Sequence, residues 1–403
     1  MLIRCTLLAL LTMLPVTLTA QAADPHLALA RRVLRTTPLF DGHNDLPWAI
    51  RQSPTARGHV AVYDLRTRTD GHTDLERLRQ GMVGAQWWSV YLPGDWADSG
   101  YARVQLEQID IARRVIERYP DHFELAVTAA DVRRIFAAGK IPGMLGMEGG
   151  HAIENSLGAL RSFFDLGARY MTLTHNVTLD WADAASGPLR HGGLTEFGRD
   201  VVREMNRLGM VVDLSHVSPG TMSDALHTTQ APIMFSHSNA FALANHVRNV
   251  PDSILRRMPE NGGIVMVTFV PGFISQPLID HGRRLTALRQ DLATRHGSDT
   301  SAARRAVEQW QQDNPAPRAT LGEVADHIEY IRRIAGVDHV GIGGDFDGIS
   351  TVVMGLEDVS TYPALFAELA RRGWTEADLR KLAGENMLRV LEGVEATARR
   401  LRQ

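Results

Sequence analysis

The 403-residue sequence contains one cysteine, Cys5, and two lysines, Lys140 and Lys381. A disulfide scaffold, a cysteine-ligated zinc finger and a catalytic cysteine all need thiols that the chain lacks. A P-loop needs a lysine inside a glycine-rich loop, and neither lysine has that setting. Charge of one sign is also missing. Lys+Arg total 43 against 46 Asp+Glu, a net charge of −3, which gives no electrostatic case for nucleic-acid binding. What the chain does have is histidine, 16 in all, pointing toward metal or acid–base chemistry.

The longest apolar run, residues 7–18, is too short to span a bilayer, which needs about 20 residues. Arg4 precedes it and Ala20-Gln21-Ala22 follows it, so residues 1–22 read as a cleaved secretory signal that carries Cys5 away. An exported chain without disulfides indicates a bacterial periplasm or exterior. The C-terminus ends Ala398-Arg399-Arg400-Leu401-Arg402-Gln403, with no hydrophobic tail for a lipid anchor. Residues 23–403 are expected to form one domain free of a membrane anchor.

Short runs rich in Val, Ile, Met and Leu alternate with helical stretches, the pattern of βα units on a parallel sheet. Strands are expected near 39–43, 83–91, 143–148, 170–175, 211–216, 233–237, 264–269 and 340–345, with helices such as 103–118, 159–166, 196–208 and 321–334 between them. Eight such units predict a single (β/α)₈ TIM-type barrel. Residues 275–320 break the alternation and read as a helical insertion after strand seven, long enough to border a site.

Six of the expected strands end in residues that ligate metals or move protons. The first ends Asp41-Gly42-His43-Asn44-Asp45, and the third Met147-Glu148-Gly149-Gly150-His151. His175, His216 and His237 close the fourth, fifth and sixth, and Asp345 closes the eighth. In a barrel these ends converge on the face that carries the active site. Imidazole and carboxylate donors without thiolate suit zinc, manganese, iron or nickel, with zinc the usual choice for hydrolysis. His43, Asp45, Glu148, His216 and His237 are too many donors for one open catalytic ion and fit two, bridged by a carboxylate. Lys140 precedes its strand and Lys381 sits in a C-terminal helix, so a carboxylated lysine is no candidate and Glu148 is. His175 and Asp345 are left for oxyanion stabilisation and proton transfer. Arg248 is a candidate clamp for a substrate carboxylate. His151, His191, His246, His327 and His339 read as capping or hydrogen-bonding residues, and Trp87-Trp88 as packing between barrel and helices.

The stretches DGHNDLP (41–47), GMEGGH (146–151), DLSHVS (213–218), APIMFSHS (231–238), RNVPD (248–252) and GGDFDG (343–348) together resemble the membrane (renal) dipeptidase family of binuclear zinc peptidases. The likeness runs from about Leu39 to Glu395. It implies two Zn²⁺ per chain, one on His43 and Asp45, the other on His216 and His237, with Glu148 bridging. It further implies that His175 contacts substrate, Arg248 binds its carboxylate and Asp345 shuttles a proton. The expected reaction is hydrolysis of a dipeptide by a zinc-bridging hydroxide; members commonly accept a D-residue on the C-terminal side, and some open β-lactam rings. Family members often dimerise, which adds a second copy of the chain as a partner. The chain departs from the mammalian members in lacking disulfides and a lipid anchor, in its longer 275–320 segment, which is similar to the bacterial branch, and in Phe273, near which they carry a tyrosine. Two other readings stand beside this one: a binuclear hydrolase of N-acyl amino acids, lactones or phosphoesters, and a periplasmic protein that holds metal or peptide without turnover.

Overall fold

The computed structural model describes residues 24–96, 100–296 and 300–403. The expected leader with Cys5, and residues 297–299, lie outside them. Among the described residues no helix is long and apolar enough to cross a membrane.

Nine strands form one parallel sheet: β1 (Leu39–Asn44), β2 (Val83–Ser89), β3 (Phe123–Leu125), β4 (Ile141–Glu148), β5 (Ala168–Thr172), β6 (Val211–Asp213), β7 (Met234–Phe235), β8 (Ile264–Val267) and β9 (Val340–Ile342). Their order is β2-β1-β9-β8-β7-β6-β5-β4-β3, and β2 also pairs with β4. That extra pairing, Gln86↔Gly143 through Ser89↔Gly146, closes an eight-stranded barrel. The closed (β/α)₈ barrel is thus the one the alternation predicts. β3 is a short addition that pairs only with β4, and its three residues are too few to show a period in the sequence.

Alternation along the strands divides the apolar residues between two clusters. Leu39, Trp88, Leu145, Met171, Val212, Phe235, Val265 and Ile342 pack outward under the helices. Phe40, Trp87, Met144, Tyr170, Met234 and Met266 belong to a separate cluster continuous with helices Ala129–Ala137 and Asn386–Leu401. The Trp87-Trp88 pair is therefore divided: Trp88 packs between barrel and helices as expected, whereas Trp87 stacks on Phe40 and meets Tyr170 edge-on inside.

Most strands stop earlier than the sequence suggests, β7 after two residues. The physical reason lies in two buried carboxylates that replace ladder bonds where the strands diverge around the site. Asp41 Oδ1 accepts from Gly344 N at 2.7 Å, and Asp213 Oδ1 accepts from Ser215 N at 3.1 Å and Ser236 N at 2.8 Å. After β8 come helices Pro271–Ile274, Gln276–His296 and Thr300–Asp313. The two longer helices bury little, only His281 and Leu292 in the first and none in the second. The first is tied to the loop after β7, where Gln276 Oε1 accepts from Asn245 N and Arg283 Nη2 donates to Asn245 O, both at 2.7 Å.

Candidate active site

The strand ends bring His43, Asp45, Glu148, His175, His216, His237, Arg248 and Asp345 around one cavity of about 360 Å³, also lined by Trp48, Tyr91, Asn176 and Phe273. Several of these positions are conformationally unusual. His216 (φ +68°) and Asp345 (φ +63°) are non-glycine residues in the left-handed region, which costs of order 1–3 kcal/mol each and persists only where the surroundings impose it. Gly348 has no room for a side chain, since a Cβ would lie 2.2 Å from Asp45 Oδ2 and 2.6 Å from Asp345 Oδ1.

Glu148 is the centre of the donor set. Its Oε2 lies 3.4 Å from His43 Nε2, which is itself 3.3 Å from Asp45 Oδ2. Its Oε1 lies 2.9 Å from His216 Nε2 and 3.4 Å from His237 Nε2. Each oxygen therefore faces a different group of imidazoles. The donor atoms fall into three overlapping triads: His43, Glu148, His237; Glu148, His175, His216; and His43, Asp45, Asp345.

The outer ring nitrogens show which lone pairs point inward. His216 Nδ1 meets the acceptor Asn176 Oδ1 at 3.1 Å, and His43 Nδ1 meets the Tyr170 hydroxyl at 2.9 Å. With Nδ1 carrying the proton, Nε2 of His216 is a bare lone pair only 2.9 Å from Nε2 of His237. His43 Nε2 and Asp45 Oδ1 are buried without a hydrogen-bond partner. Apart from His237 Nε2, which Arg248 Nη2 approaches at 2.9 Å, these lone pairs and carboxylate oxygens converge without a donor or cation between them, so the residues present fit divalent metal.

The charges of His216 and His237 agree with that reading. Burial, the Arg248 charge and His175 hold His216 well below its ordinary pKa, and burial, His43 and Arg248 do the same to His237; both rings are neutral, as metal ligands must be. Burial opposes a charged His43, yet the field of Tyr170, Glu148 and Asp45 prevails and raises it. Burial likewise opposes ionised Glu148, but His43, His216 and His237 hold its carboxyl well below the usual range. Asp345 is pushed well above the usual range by burial, reinforced by Asp45 and Glu148 against His43 and Arg248. Burial lowers Arg248 to about 10, opposed by Asp345 and Glu148, so it remains a cation. Its guanidinium lies 5.0 Å from the Phe273 ring centre, and Phe273 stacks on His246 with ring centres 4.4 Å apart.

Every residue expected at the site is found there. Sequence reasoning missed Tyr170, Asn176 and Ser236, which meet the outer nitrogens of His43, His216 and His237, Asp213 behind Ser236, and Trp48 and Tyr91, which line the cavity. Asn176 carries only a glycosylation pattern in the sequence, and nothing local connects it to His216. The histidines set aside are hydrogen-bonded as expected: His151 to Leu92 O, His191 to Leu179 O, His327 to Ile274 O and His339 to Gly263 O, while His246 accepts from Arg248 N. Lys140 and Lys381 pair instead with Glu124 and Asp338.

A parallel barrel with this donor set at the carboxyl ends of its strands suits a metal-dependent hydrolase. Residues 27–403 match the membrane dipeptidase family, peptidase family M19, and the chain belongs to that family of metallodipeptidases. Among solved structures it is similar to a probable dipeptidase, PvdM, of Pseudomonas aeruginosa, at 25% identity and a TM-score of 0.79, covering 93% of this chain and all of that one. It is also similar to a metallopeptidase of Rhodobacter sphaeroides bound to a phosphinate mimic of L-Ala-D-Ala, at 28% identity and a TM-score of 0.70, covering 89% of this chain and 99% of that one.

Proposed function

We propose that this chain is an exported dipeptidase working with two zinc ions, His43 and Asp45 holding one, His216 and His237 the other, and Glu148 bridging. The observation that carries this is the division of Glu148, whose two oxygens face separate imidazole groups within 3.4 Å. When bound, such ions would supply Lewis acidity and lower the pKa of the attacking water toward ~7. The remaining steps belong to the chain's own residues. Arg248 follows barrel strand six (β7) and Tyr91 follows strand two (β2), which places them on opposite sides of an eight-stranded ring. A dipeptide whose carboxylate is held by Arg248 therefore extends across the donor set toward Tyr91 and Trp48, which pack edge-on at 4.9 Å. With both ends in one cavity of about 360 Å³, short substrates should be preferred.

His175, kept largely neutral by burial, donates toward the oxyanion of the attacked carbonyl. Asp345 takes the proton released by the attacking water and delivers it to the leaving amine. Its raised pKa suits a carboxyl that must both accept and give up a proton near neutrality. The structural likeness to an enzyme bound to an L-Ala-D-Ala mimic supports acceptance of a D-residue at the C-terminal position. Export rests on residues 1–22 and predicts a periplasmic form beginning at Ala23, checked by N-terminal sequencing.

The decisive experiment assays the zinc-loaded protein on L-L and L-D dipeptides, their C-terminal amides and a β-lactam, with metal content measured alongside. Arg248→Ala should raise KM for free dipeptides by at least about tenfold, given the 1.5–3 kcal/mol of a hydrogen bond to a charged group, and leave the amides unchanged. Equal losses on both substrate sets would point instead to a hydrolase that does not read a free carboxylate.

A further inference from the structure

Asp213 ends β6 and is completely buried. Besides its two backbone bonds, its Oδ2 accepts from Thr172 Oγ1 at 2.5 Å and Ser236 Oγ at 2.7 Å. It thus joins the ends of β5, β6 and β7. The serine extends this contact to the metal centre. Ser236 Oγ lies 2.8 Å from His237 Nδ1. A serine has one proton to give, and the carboxylate, nearer than the Ser215 hydroxyl at 3.4 Å, receives it. Toward the imidazole the same oxygen must accept. The proton of His237 is therefore on Nδ1, and the Nε2 lone pair faces Glu148, His216 and the Arg248 Nη2 donor 2.9 Å away. The other ligand rings are held differently, His43 by the Tyr170 hydroxyl and His216 by the Asn176 amide.

We propose that Asp213 is a positioning residue for the metal centre: relayed through the Ser236 hydroxyl, it fixes His237 in the Nδ1–H form and so sets the affinity for one of two ions. The inference rests on the two-ion reading above and adds to it a residue that touches neither metal nor substrate. The hydrogen-bond geometry also says what an amide would do in its place. In Asp213→Asn the side-chain oxygen must stay at the Oδ1 position, because the backbone N–H groups of Ser215 and Ser236 can only donate. The amide –NH₂ then faces Ser236, whose oxygen accepts from it and whose proton turns to His237 Nδ1. Because Arg248 Nη2 also only donates, at His237 Nε2, both ring nitrogens then face donors and the Nδ1–H form that leaves Nε2 free to ligate loses its support.

The test measures zinc bound against a competing chelator. Wild type should hold two ions per chain, whereas Asp213→Asn should hold one as tightly as wild type and the other about 10–100-fold more weakly. Ser236→Ala, which leaves the ring oriented by Arg248 alone, should fall between. The double variant Asp213→Asn/Ser236→Ala should recover to the level of Ser236→Ala, since no hydroxyl remains to reverse the bond; a general loosening of the strand ends would instead make the two losses add. Imidazole ¹⁵N spectra of the metal-free proteins should show His237 protonated on Nδ1 in wild type and partly shifted to Nε2 in Asp213→Asn. Circular dichroism checks folding, and if Asp213→Asn does not fold, Ser236→Ala decides alone by weaker zinc binding at one site. Wild-type zinc affinity at both sites in Asp213→Asn or in Ser236→Ala, or additive losses in the double variant, would overturn the proposal. Fewer than two ions in the wild type would instead overturn the two-ion reading on which it stands.

Discussion

At the scale of single residues, the site depends on groups kept in protonation states they would not hold in water. Asp345 is the clearest case. Exchange to Asn preserves its size but removes its capacity to carry a proton, so Asp345→Asn should keep its full metal content and lose about 10²–10⁴-fold in kcat. Elemental analysis and steady-state kinetics check both, and full turnover would remove Asp345 from the proton path. His151 is a second case, with a structural outcome. Burial pushes it down to about 4, against the pull of the Leu92 carbonyl. Its folded pKa lies below the unfolded value of about 6.5, so its contribution to stability is complete above pH 6.5 and is lost as pH falls toward 4. The loss is on the order of 3 kcal/mol. Urea midpoints at pH 7 and pH 4.5 should therefore differ more for wild type than for His151→Gln.

At the scale of elements, the barrel interior and the metal centre share parts. Gly146 sits in the middle of β4, where a Cβ would lie 1.9 Å from the Tyr170 ring. Tyr170 is packed against Trp87 and bonded to His43, so it cannot swing aside freely. Gly146→Ala should destabilise the fold by about 1–3 kcal/mol through overpacking. It should also weaken metal binding by displacing the hydroxyl behind His43. Urea unfolding and zinc titration measure the two effects separately. The helices that follow β8 act at this scale as well. Phe273 O accepts from Asn249 Nδ2 at 2.8 Å, so the start of the excursion is joined to the loop that presents Arg248.

At the scale of the whole molecule, the fold and the metal are separable contributions. The two apolar clusters extend through the barrel and its helices, and the ligand rings are already held from behind by Tyr170, Asn176 and Ser236. Chelation should leave helical circular dichroism intact while lowering the melting temperature, and zinc should restore it. The expected stabilisation is about 2.7 kcal/mol for each ion at a hundredfold excess over its dissociation constant. Collapse of the secondary structure on chelation would mean that the site is built by the metal rather than by the fold.

The amino-acid sequence by itself determined the βα alternation, the end of the barrel that carries chemistry and the donor types found there. These properties are local: a buried run followed by His43 and Asp45, or by Glu148 and its glycines, is visible without knowing its neighbours. The lack of usable lysine likewise left a carboxylate as the expected bridge. Tertiary structure decided the rest, because closure of the ring chooses partners that sequence distance conceals. It set Tyr170 behind His43, 127 residues away, and Asn176 behind His216, 40 residues away. It separated Trp87 from Trp88. It also ended the strands early, because the carboxylates of Asp41 and Asp213, unremarkable as residues near strand ends, supply hydrogen-bond acceptors that a regular ladder would otherwise provide.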